Sequence, residues 1–479
     1  MTRKWLIGLV YVAIAIAIMG VRPHPTPGPM LRDFEAYWAA GSSRDAGVDP
    51  YRPDIWNAER TVPGVNTRHD EILPFIGPPA TLLGWSLFAR LPYKNAASAW
   101  IVLLAISLLA LIAAVVRGSG APITPLSFLA AVALALSFGP VTSDLALGQL
   151  ALPSFLGGVL VTLLAERSVI TGTTAACLAF AQPNAAIGLA SLLGRNRVTL
   201  AIALGALVTY ALGAIAGGWM WPFTYARATT AHHGAEALVA IQLTPASIAY
   251  SFGAPAGAAQ LTGIGIALLA VAGAVALAIT VRERFARFSA VSALVPFVVG
   301  FVHEHDLVVA FAAAGWCAFR TRAAVRVVAL IGTILVSVDW LGLAQRPSGI
   351  LQSALLALAA FGVFVALGKE EELPDGTKTG GVLALLFGGA AWLATQNPAP
   401  VWPDALAVFH APLNATIATI WSAEQRAAGL AVAVPAWALL RSLSLLGCAL
   451  LAFALYRQSS DVDVHHVVEG RDGIRVKVF

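Results

Sequence analysis

The feature that most constrains this sequence is a series of continuous apolar runs that recurs from end to end. Each run has roughly 15 to 22 residues, about the length that an α-helix needs to cross the hydrocarbon core of a bilayer. Backbone groups in lipid must be satisfied internally, and runs that are continuous rather than alternating select helices over a β-barrel. Only 11% of the 479 residues are charged, against about a quarter in soluble domains. The sequence therefore predicts an all-α polytopic membrane protein.

We predict one integral membrane domain, residues 1–456, with about 12–14 transmembrane helices, followed by a cytoplasmic tail, residues 457–479. Arg3 and Lys4 precede the apolar segment Trp5–Val21, which predicts an uncleaved first helix with the N-terminus in the cytoplasm. Most other basic residues lie at the ends of apolar runs and fall on the same side when the runs alternate. The polar loops therefore concentrate on the opposite side of the membrane.

Much of the first outer loop, residues 22–95, is too polar to span a bilayer. We predict short interfacial helices in it, at Asp33–Ala40 and Pro53–Arg60. Its apolar piece Pro79–Arg90 has about 12 to 14 residues, too few for a crossing, so we interpret it as a half-inserted helix. Met220–Gln242 is predicted to be the second large outer loop. Two polar segments far apart in the sequence are thus expected to face one compartment.

The formal net charge of +5 does not indicate a nucleic-acid partner. The basic residues lie at helix ends and form no stripe interleaved with aromatic residues. The three cysteines, Cys177, Cys317 and Cys448, lie inside apolar runs and have neither disulfide nor metal-ligand spacing. We therefore expect no nucleic-acid partner and no metal site at the cysteines, and we predict no cofactor beyond the substrates.

The most polar and aromatic stretch is Leu31–Tyr51, directly after the first apolar segment. It places Asp33 at the expected lipid–water boundary, where a carboxylate can act as general base on a sugar hydroxyl. Candidate substrate-binding residues in the same stretch are Tyr37, Trp38, Asp49 and Tyr51. Alternatively, Asp33 caps an interfacial helix through its side-chain oxygen. The residues alone leave both interpretations open.

A second candidate is the polar group His303, Glu304, His305 and Asp306, which lies between two apolar runs. Ionisable residues at membrane depth are costly and are usually functional. A zinc site needs about three well-spaced ligands, and the segment lacks the HExxH spacing. An exposed loop without a function is a further alternative. We favour a cluster in which His303, His305 or Asp306 contacts a sugar or a phosphate.

Three further polar residues are expected at the same membrane level. Asp144 and Gln149 flank Gly148, whose lack of a side chain permits close approach of another part of the chain. Gln182 precedes Pro183, which breaks a helix and frees backbone groups to line a cavity. An ordinary turn and an ordinary kink are the alternatives. We include Asp144, Gln149 and Gln182 among the candidate substrate-binding residues.

Taken in order, these residues resemble glycosyltransferase family 87, whose members are polyprenyl-phosphate-sugar-dependent transferases of the GT-C superfamily. The first stretch matches the pattern DF-x-x-Y-W followed by G-x-D-P-Y, here Asp33-Phe34, Tyr37-Trp38, Gly47 and Asp49-Pro50-Tyr51. Three later landmarks are similar to the family's proline-proline helix, its Gly-Gln helix start and its late Asp-Leu segment, here Pro78-Pro79, Gly148-Gln149 and His305-Asp306-Leu307-Val308. Beyond these landmarks, in the last third of the chain, only hydropathy supports the resemblance.

The resemblance implies a GT-C-type helical bundle in the inner (plasma) membrane of a bacterium, with a periplasmic active site. It implies an inverting, metal-independent transfer of a hexose such as mannose, with Asp33 as general base. The substrates would be a polyprenyl-phosphate sugar and a glycan or glycolipid acceptor. The family often carries Lys-Pro where this chain has Gln182-Pro183, which removes a natural phosphate anchor. The candidates to replace that anchor are Arg52, Arg227, His232 and His233.

A proton-coupled transporter or lipid flippase that uses the His303–Asp306 cluster is the alternative hypothesis. Transporters are usually built from repeated halves with broken helices near the bilayer midplane. This sequence shows no matching halves, and its polar residues gather at one surface. It also has no soluble stretch long enough to fold a nucleotide-sugar domain, which fits a lipid-linked donor. The transferase is therefore the preferred hypothesis.

Overall fold

The computed structural model describes residues 29–65, 71–194, 196–345, 376–402, 406, 409–411 and 414–469. All regular elements in these ranges are α-helices or 3₁₀-helices, and no strand occurs among them. The prediction of an all-α chain is therefore confirmed for this part of the protein. The expected first helix, Trp5–Val21, and residues 470–479 of the expected tail lie outside the described residues.

From Pro79 to Gln345 the helices follow one another with short connections. The first are α1 (Phe34–Asp45), a 3₁₀ turn (Pro53–Ile55), α2 (Trp56–Glu59), α3 (Pro79–Ala89), α4 (Tyr93–Gly118), α5 (Pro125–Ser137) and α6 (Gly139–Leu147). The middle ones are α7 (Ala151–Leu164), α8 (Val169–Phe180), α9 (Pro183–Ala186), a 3₁₀-helix (Ile187–Leu192), α10 (Asn196–Gly217), α11 (Trp221–Glu236), α12 (Pro245–Ser251) and α13 (Ala256–Thr280). The last are α14 (Arg284–Val298), a 3₁₀-helix (Glu304–Ala310), α15 (Phe311–Arg320), α16 (Ala323–Ser337), α17 (Trp340–Gln345), α18 (Gly376–Gln396), α19 (Ile417–Ala427) and α20 (Pro435–Glu469).

Four helices of the described chain are long and apolar enough to cross a membrane: α4, α10, α13 and the Pro435–Ser459 part of α20. A fifth candidate is the pair α5–α6, which bends by 69° at its junction. Only 11% of the apolar window of α13 is buried inside the chain, as expected of a helix whose side chains face lipid. The described residues therefore contain four or five candidate spans, fewer than the about 12–14 that the apolar runs predicted.

Proline and glycine divide apolar runs that hydropathy alone treats as continuous. Phe138 has an extended backbone between α5 and α6, and the second helix begins with Gly139 and Pro140. A proline in the first turn of a helix loses no intrahelical hydrogen bond, so it readily starts a new helix where the previous one ends. The gap between α8 and α9, directly before Pro183, confirms the break that the sequence predicted there.

Two segments for which no helix was predicted are helical. Met220–Gln242, predicted as an outer loop, consists largely of α11, with Pro222 in its first turn. The last helix, α20, continues past the apolar run to Glu469, so the first part of the expected tail is helical as well. By contrast, α3 has 11 residues, in line with the short helix predicted at Pro79–Arg90.

A left-handed turn at Gly148 brings the first described segment against the start of α7. Gly148 has a φ of +79°, and a Cβ there would collide with the Leu31 side chain, so both conformation and space require glycine. The Asp33 N–H donates to the Leu147 carbonyl (2.9 Å), and the Trp100 indole N–H donates to the Gly148 carbonyl (2.8 Å). These contacts fix Asp33 beside the residue that follows the glycine.

An aromatic cluster holds α1 against α3 and α4. The Phe34 ring is fully buried, and its centroid lies 5.9–6.1 Å from those of Trp85, Phe88, Tyr93 and Trp100. Burying a phenylalanine contributes roughly 1.5–3 kcal/mol, and ring pairs at such distances add about 0.5–1.5 kcal/mol. Because Phe34 is the first residue of α1, the cluster fixes the position at which this helix begins.

Candidate active site

A cavity of about 500 Å³ lies where distant parts of the chain meet. These parts are the residue before α1, the turn before α7, the break before α9, the C-terminal end of α11 and the segment before the 3₁₀-helix Glu304–Ala310. Eight residues predicted for the site line it: Asp33, Tyr37, Gln149, Gln182, His232, His303, His305 and Asp306. The structure thus brings Asp33 together with the histidine segment, a placement that the transferase hypothesis requires.

A chain of hydrogen bonds orients the Asp33 carboxylate. The Gln149 side-chain amide donates to Asp33 Oδ2, and the Tyr37 hydroxyl donates to Gln149 Oε1 (2.5 Å). The Tyr37 ring stacks on Trp85, with centroids 4.7 Å apart. Within the described chain, the Asp33 side chain makes no capping hydrogen bond to α1, so the helix-cap alternative is not what the structure shows.

The Asp306 carboxylate connects two sides of the cavity. Its Oδ1 accepts a hydrogen bond from the Gln182 amide (2.6 Å), and its Oδ2 accepts one from the His303 backbone N–H (2.9 Å). Burial raises the pKa of Asp306 to about 6, against the opposing effect of the His303 charge. The carboxylate is therefore mainly ionised at neutral pH and is held at both oxygens.

His305 is a buried imidazole that makes no hydrogen bond within the described residues. It is 6% exposed, and its Nε2 lies 3.9 Å from Asp306 Oδ2. Burial, together with the neighbouring His303, lowers the pKa of His305 to about 3. The ring is thus neutral at physiological pH, and a neutral imidazole can donate or accept a hydrogen bond or bind a cation.

Glu236 is fully buried between two imidazoles in the cavity wall. Its Oε2 lies 3.5 Å from His232 Nε2 and accepts a hydrogen bond from the Gln242 amide (2.8 Å), and its Oε1 lies 3.5 Å from His303 Nε2. Burial alone would raise the pKa of Glu236, but the charges of His303 and His232 outweigh burial and hold that pKa below its ordinary value. The cavity wall therefore holds a buried negative charge between two imidazoles and a hydrogen-bonding amide.

The Arg441 guanidinium lines the same cavity from α20. It is 1% exposed and donates to the Gln242 carbonyl (2.6 Å), to Ser247 Oγ (2.7 Å) and to Ser251 Oγ (2.5 Å). No carboxylate is paired with it in the part of the chain that the structure describes. Arg441 therefore ties α12 to α20 and adds a buried positive charge to this side of the cavity.

Sequence reasoning did not select Glu236 or Arg441 for the site. Glu236 lies four residues after His232, the spacing that pairs side chains on one helix face. That signal was lost because the segment was interpreted as a loop. Arg441 is a lone basic residue within the last apolar run, a position where an ionisable side chain is usually functional.

Two tryptophans form an aromatic wall of the cavity. The ring centroids of Trp402 and Trp421 are 5.1 Å apart, and Trp421 stacks with His232 at 6.1 Å. The Arg32 guanidinium lies 4.7 Å from the Trp402 ring centroid and pairs with Glu71 (2.7 Å). Aromatic faces beside polar groups suit a ligand that has both apolar and hydroxyl surfaces, such as a sugar ring.

Three predicted substrate-binding residues do not line the cavity and have structural contacts instead. The Trp38 indole N–H donates to a backbone carbonyl (3.2 Å), and the Tyr51 hydroxyl donates to another (2.6 Å). Asp144 is fully buried, and its Oδ2 accepts a backbone N–H of α7 (2.8 Å). Their polar atoms are bonded to the chain's own backbone, and their assignment as substrate ligands stays a prediction that this cavity does not support.

Four other predicted residues lie away from the cavity lining. Asp49 Oδ1 accepts a backbone N–H two residues later (3.0 Å), and its Oδ2 lies 3.9 Å from Arg52 Nε on an exposed surface. Arg227 and His233 are exposed on α11, because positions five before and one after His232 project from other faces of the helix. Of the four residues predicted to bind phosphate, only His232 lines the cavity.

Among the described residues, His303, His305 and Asp306 form a group that could hold a metal ion, with ligand atoms within 4.8 Å of one another. The cavity therefore combines this group with an oriented carboxylate, a buried imidazole–carboxylate network and an aromatic wall. Such a combination suits a polar ligand that undergoes chemistry or transport. Comparisons of this chain with protein-family models, with curated proteins and with solved structures found no match.

Proposed function

We propose that this chain is a membrane glycosyltransferase that moves a hexose, such as mannose, from a polyprenyl-phosphate donor to a lipid-linked or cell-envelope glycan. In this proposal it is a GT-C-type protein of a bacterial inner membrane, with both termini in the cytoplasm and the cavity open to the periplasm. The order of the sequence landmarks supports the family. The observation that carries the proposal is that Asp33 and the His303–Asp306 segment line one cavity.

In the proposed reaction, Asp33 acts as the general base. An acceptor hydroxyl attacks the anomeric carbon of the donor, and its proton passes to the Asp33 carboxylate. The bond from the anomeric carbon to the phosphate oxygen breaks, and its electron pair leaves with the phosphate. One C–O bond forms as the other breaks, so the configuration inverts. Gln149 and Tyr37 keep the carboxylate oriented for this proton transfer.

Other lining residues suit the two substrates. Trp402 and Trp421 present aromatic faces against which a sugar ring can pack. A leaving phosphate needs hydrogen-bond donors and positive charge. Arg441 lines the cavity and supplies positive charge, and His303 lines it with a ring nitrogen that can donate a hydrogen bond or bind a cation beside the phosphate.

A proton-coupled transporter or lipid flippase is the second candidate, because of the network around Glu236. Buried ionisable groups that face a cavity in a membrane protein also serve as proton relays. A transporter would move its substrate without chemical change. Proteoliposomes that lack any donor lipid separate the two candidates: substrate uptake or lipid flipping without glycosyl transfer would favour the transporter.

The transferase is tested with Asp33→Asn in purified protein supplied with a polyprenyl-phosphate hexose and a lipid-linked acceptor. The amide keeps the shape of the side chain but cannot take the proton, so transfer should fall by about 10²–10⁴-fold. Asp49→Asn is the matched control, because Asp49 is more than half exposed in the same segment and does not line the cavity. Its transfer rate should equal that of the wild type.

The outcomes of this assay distinguish the role of Asp33, the role of its segment and the class of donor. Full transfer by Asp33→Asn would refute the assignment of the base. Equal losses in both variants, with unchanged thermal stability, would show that the segment matters for a reason other than proton transfer. Transfer from a nucleotide sugar but not from a polyprenyl-phosphate sugar would overturn the proposed class of donor.

A further inference from the structure

His303, His305 and Asp306 come together where the 3₁₀-helix Glu304–Ala310 begins. One ligand atom from each residue lies within 4.8 Å of the others. His305 and Asp306 are 6% and 5% exposed, and all three residues line the cavity. Two imidazoles and one carboxylate form a common ligand set of zinc sites that keep a coordination position open for water or substrate.

The His305 ring has nitrogens that are open to a ligand from the cavity. A cavity-lining imidazole without a hydrogen-bond partner in the described chain can bind a cation or a substrate. In the described residues, neither ring nitrogen of His305 makes a hydrogen bond, although the carboxylate of Asp306 is only 3.9 Å away. A cation held between the imidazole and this carboxylate would give the His305 ring a partner, and it would bind a carboxylate that hydrogen bonds already orient.

The other two proposed ligands, His303 and Asp306, have polar partners that orient their side chains, as metal ligands usually do. Asp306 is oriented by hydrogen bonds from the Gln182 amide (2.6 Å) and the His303 N–H (2.9 Å). His303 Nε2 lies 3.5 Å from the buried carboxylate of Glu236. Imidazoles that bind metals are commonly backed by a carboxylate of this kind, which orients the ring and increases its basicity.

We propose that His303, His305 and Asp306 bind a divalent transition-metal ion of the zinc class, with an open coordination position that faces the cavity. Bonds of about 2.0–2.2 Å place the ligand atoms about 3–3.5 Å apart, so the three side chains close around the ion when it binds. Imidazole ligands favour ions such as Zn²⁺, Ni²⁺ or Co²⁺ over Ca²⁺, Mg²⁺ and Mn²⁺. If the cavity takes the donor proposed above, a phosphate oxygen is the ligand for the open position. The family resemblance, by contrast, implied a metal-independent transfer.

The test is Co²⁺ binding by the purified full chain in detergent, with any affinity tag removed and metals stripped by a chelator. Cobalt held by two imidazoles and a carboxylate gives a visible d–d absorption that Zn²⁺ should abolish by displacement. Wild-type protein should bind about one equivalent per chain. His305→Ala and Asp306→Asn should each weaken binding at least tenfold. His233→Ala, an exposed histidine outside the cavity lining, is the matched control and should bind like the wild type.

The Glu236 carboxylate beside His303 allows a variant with a smaller expected effect than loss of a ligand. Glu236→Gln should weaken Co²⁺ binding by about 10–100-fold without removing a ligand. Size-exclusion profiles and thermal unfolding show which variants are folded, and the wild-type titration does not depend on any of them. Failure of the wild type to bind either ion would overturn the proposal. Binding that His305→Ala and Asp306→Asn both leave unchanged would place the ion elsewhere and overturn it as well.

The binding experiment contains no donor lipid, so its failure and that of the transferase proposal can be told apart. Cobalt binding at this group, together with full transfer by Asp33→Asn, would support the metal-site proposal and refute the assignment of Asp33 as general base. If chelator-treated protein does not bind Co²⁺ but still transfers the sugar, the transferase proposal is supported and the metal-site proposal is overturned. If both proposals hold, stripping the metal should lower transfer, and Zn²⁺ should restore it.

Discussion

Glu236 and Glu59 are two glutamates that are equally buried but have opposite surroundings. Neither has measurable exposure. Glu236 lies between His232 and His303, which hold its pKa below the ordinary value in spite of burial. At Glu59, burial raises the pKa well above the ordinary value, and nearby charges raise it further. The comparison shows that partners, rather than depth, decide whether a buried carboxylate keeps its charge.

Glu59 is the last residue of α2, which packs against α1, the helix that follows Asp33. Its charged neighbours are three other carboxylates, Glu35, Glu424 and Glu71. Arg32 is paired with Glu71 (2.7 Å), and in the described part of the chain Glu59 has no ion pair of its own. The cavity wall at Glu236 is thus organised to hold a charge, whereas the region around Glu59 is organised to keep protons.

The largest expected effect comes from removing the charge that the cavity wall holds. Glu236→Gln leaves the buried His232 and the partly buried His303 without their anion, so the free energy of unfolding should fall by about 3 kcal/mol. Unfolding in detergent, followed by heat or denaturant, measures this loss. Glu166→Gln is the control, since Glu166 is 34% exposed and lies 3.5 Å from Arg284; its effect should stay below about 1 kcal/mol. Equal effects in both variants would contradict the view that Glu236 is held as a charge.

A double-mutant cycle measures how much of that effect belongs to one partner. His232→Gln keeps a hydrogen-bonding group in place but removes the imidazole, and it should cost less than Glu236→Gln because His303 and Gln242 still contact the carboxylate. In combination with Glu236→Gln, the two changes should be non-additive by about 1–2 kcal/mol. Strict additivity would show that the 3.5 Å approach of His232 to Glu236 carries no interaction energy.

The sequence predicted well those features that depend on neighbours in the chain. Continuous apolar runs predicted the helical class, Pro183 predicted a break, and Gly148 predicted a tight approach, which the structure shows. Helix length was harder, because hydropathy does not register the 69° bend between α5 and α6. The sequence also did not show which of two adjacent residues would face the cavity. Tyr37 and Trp38 project about 100° apart around α1, and only Tyr37 lines the cavity.

Contacts between distant residues account for what the sequence could not predict. A single sequence does not show that Glu236 will meet His303, or that Arg441 of the last helix will meet the serines of α12. Such contacts depend on how helices pack, which the polarity of each segment does not encode. The sequence therefore predicted candidate residues for the cavity, but it could not predict the charge network that holds them.

The smallest expected effect has the opposite sign and lies in the other region. Glu59→Gln keeps the shape of the side chain but removes a group whose charged form is disfavoured by burial. It should raise the free energy of unfolding at neutral pH by about 1 kcal/mol, measured as a higher melting temperature in detergent. Asp54→Asn, an exposed carboxylate of the same segment, should change stability little. A destabilised Glu59→Gln protein would show that this region also uses a charge.

The pH dependence of that gain tests its cause. The folded-state pKa of Glu59 lies above the ordinary value of 4.5, so the wild type keeps the full contribution of this group below about pH 4.5 and loses it as the pH rises through the raised pKa. The Glu59→Gln protein loses nothing in that window. Its advantage should therefore be small near pH 4.5, grow with rising pH, and level off above the raised pKa. Glu35, Glu71 and Glu424 are present in both proteins, so their contributions largely cancel in the difference. An advantage that stays constant up to about pH 8, or shrinks on the way there, would mean that burial does not keep Glu59 protonated.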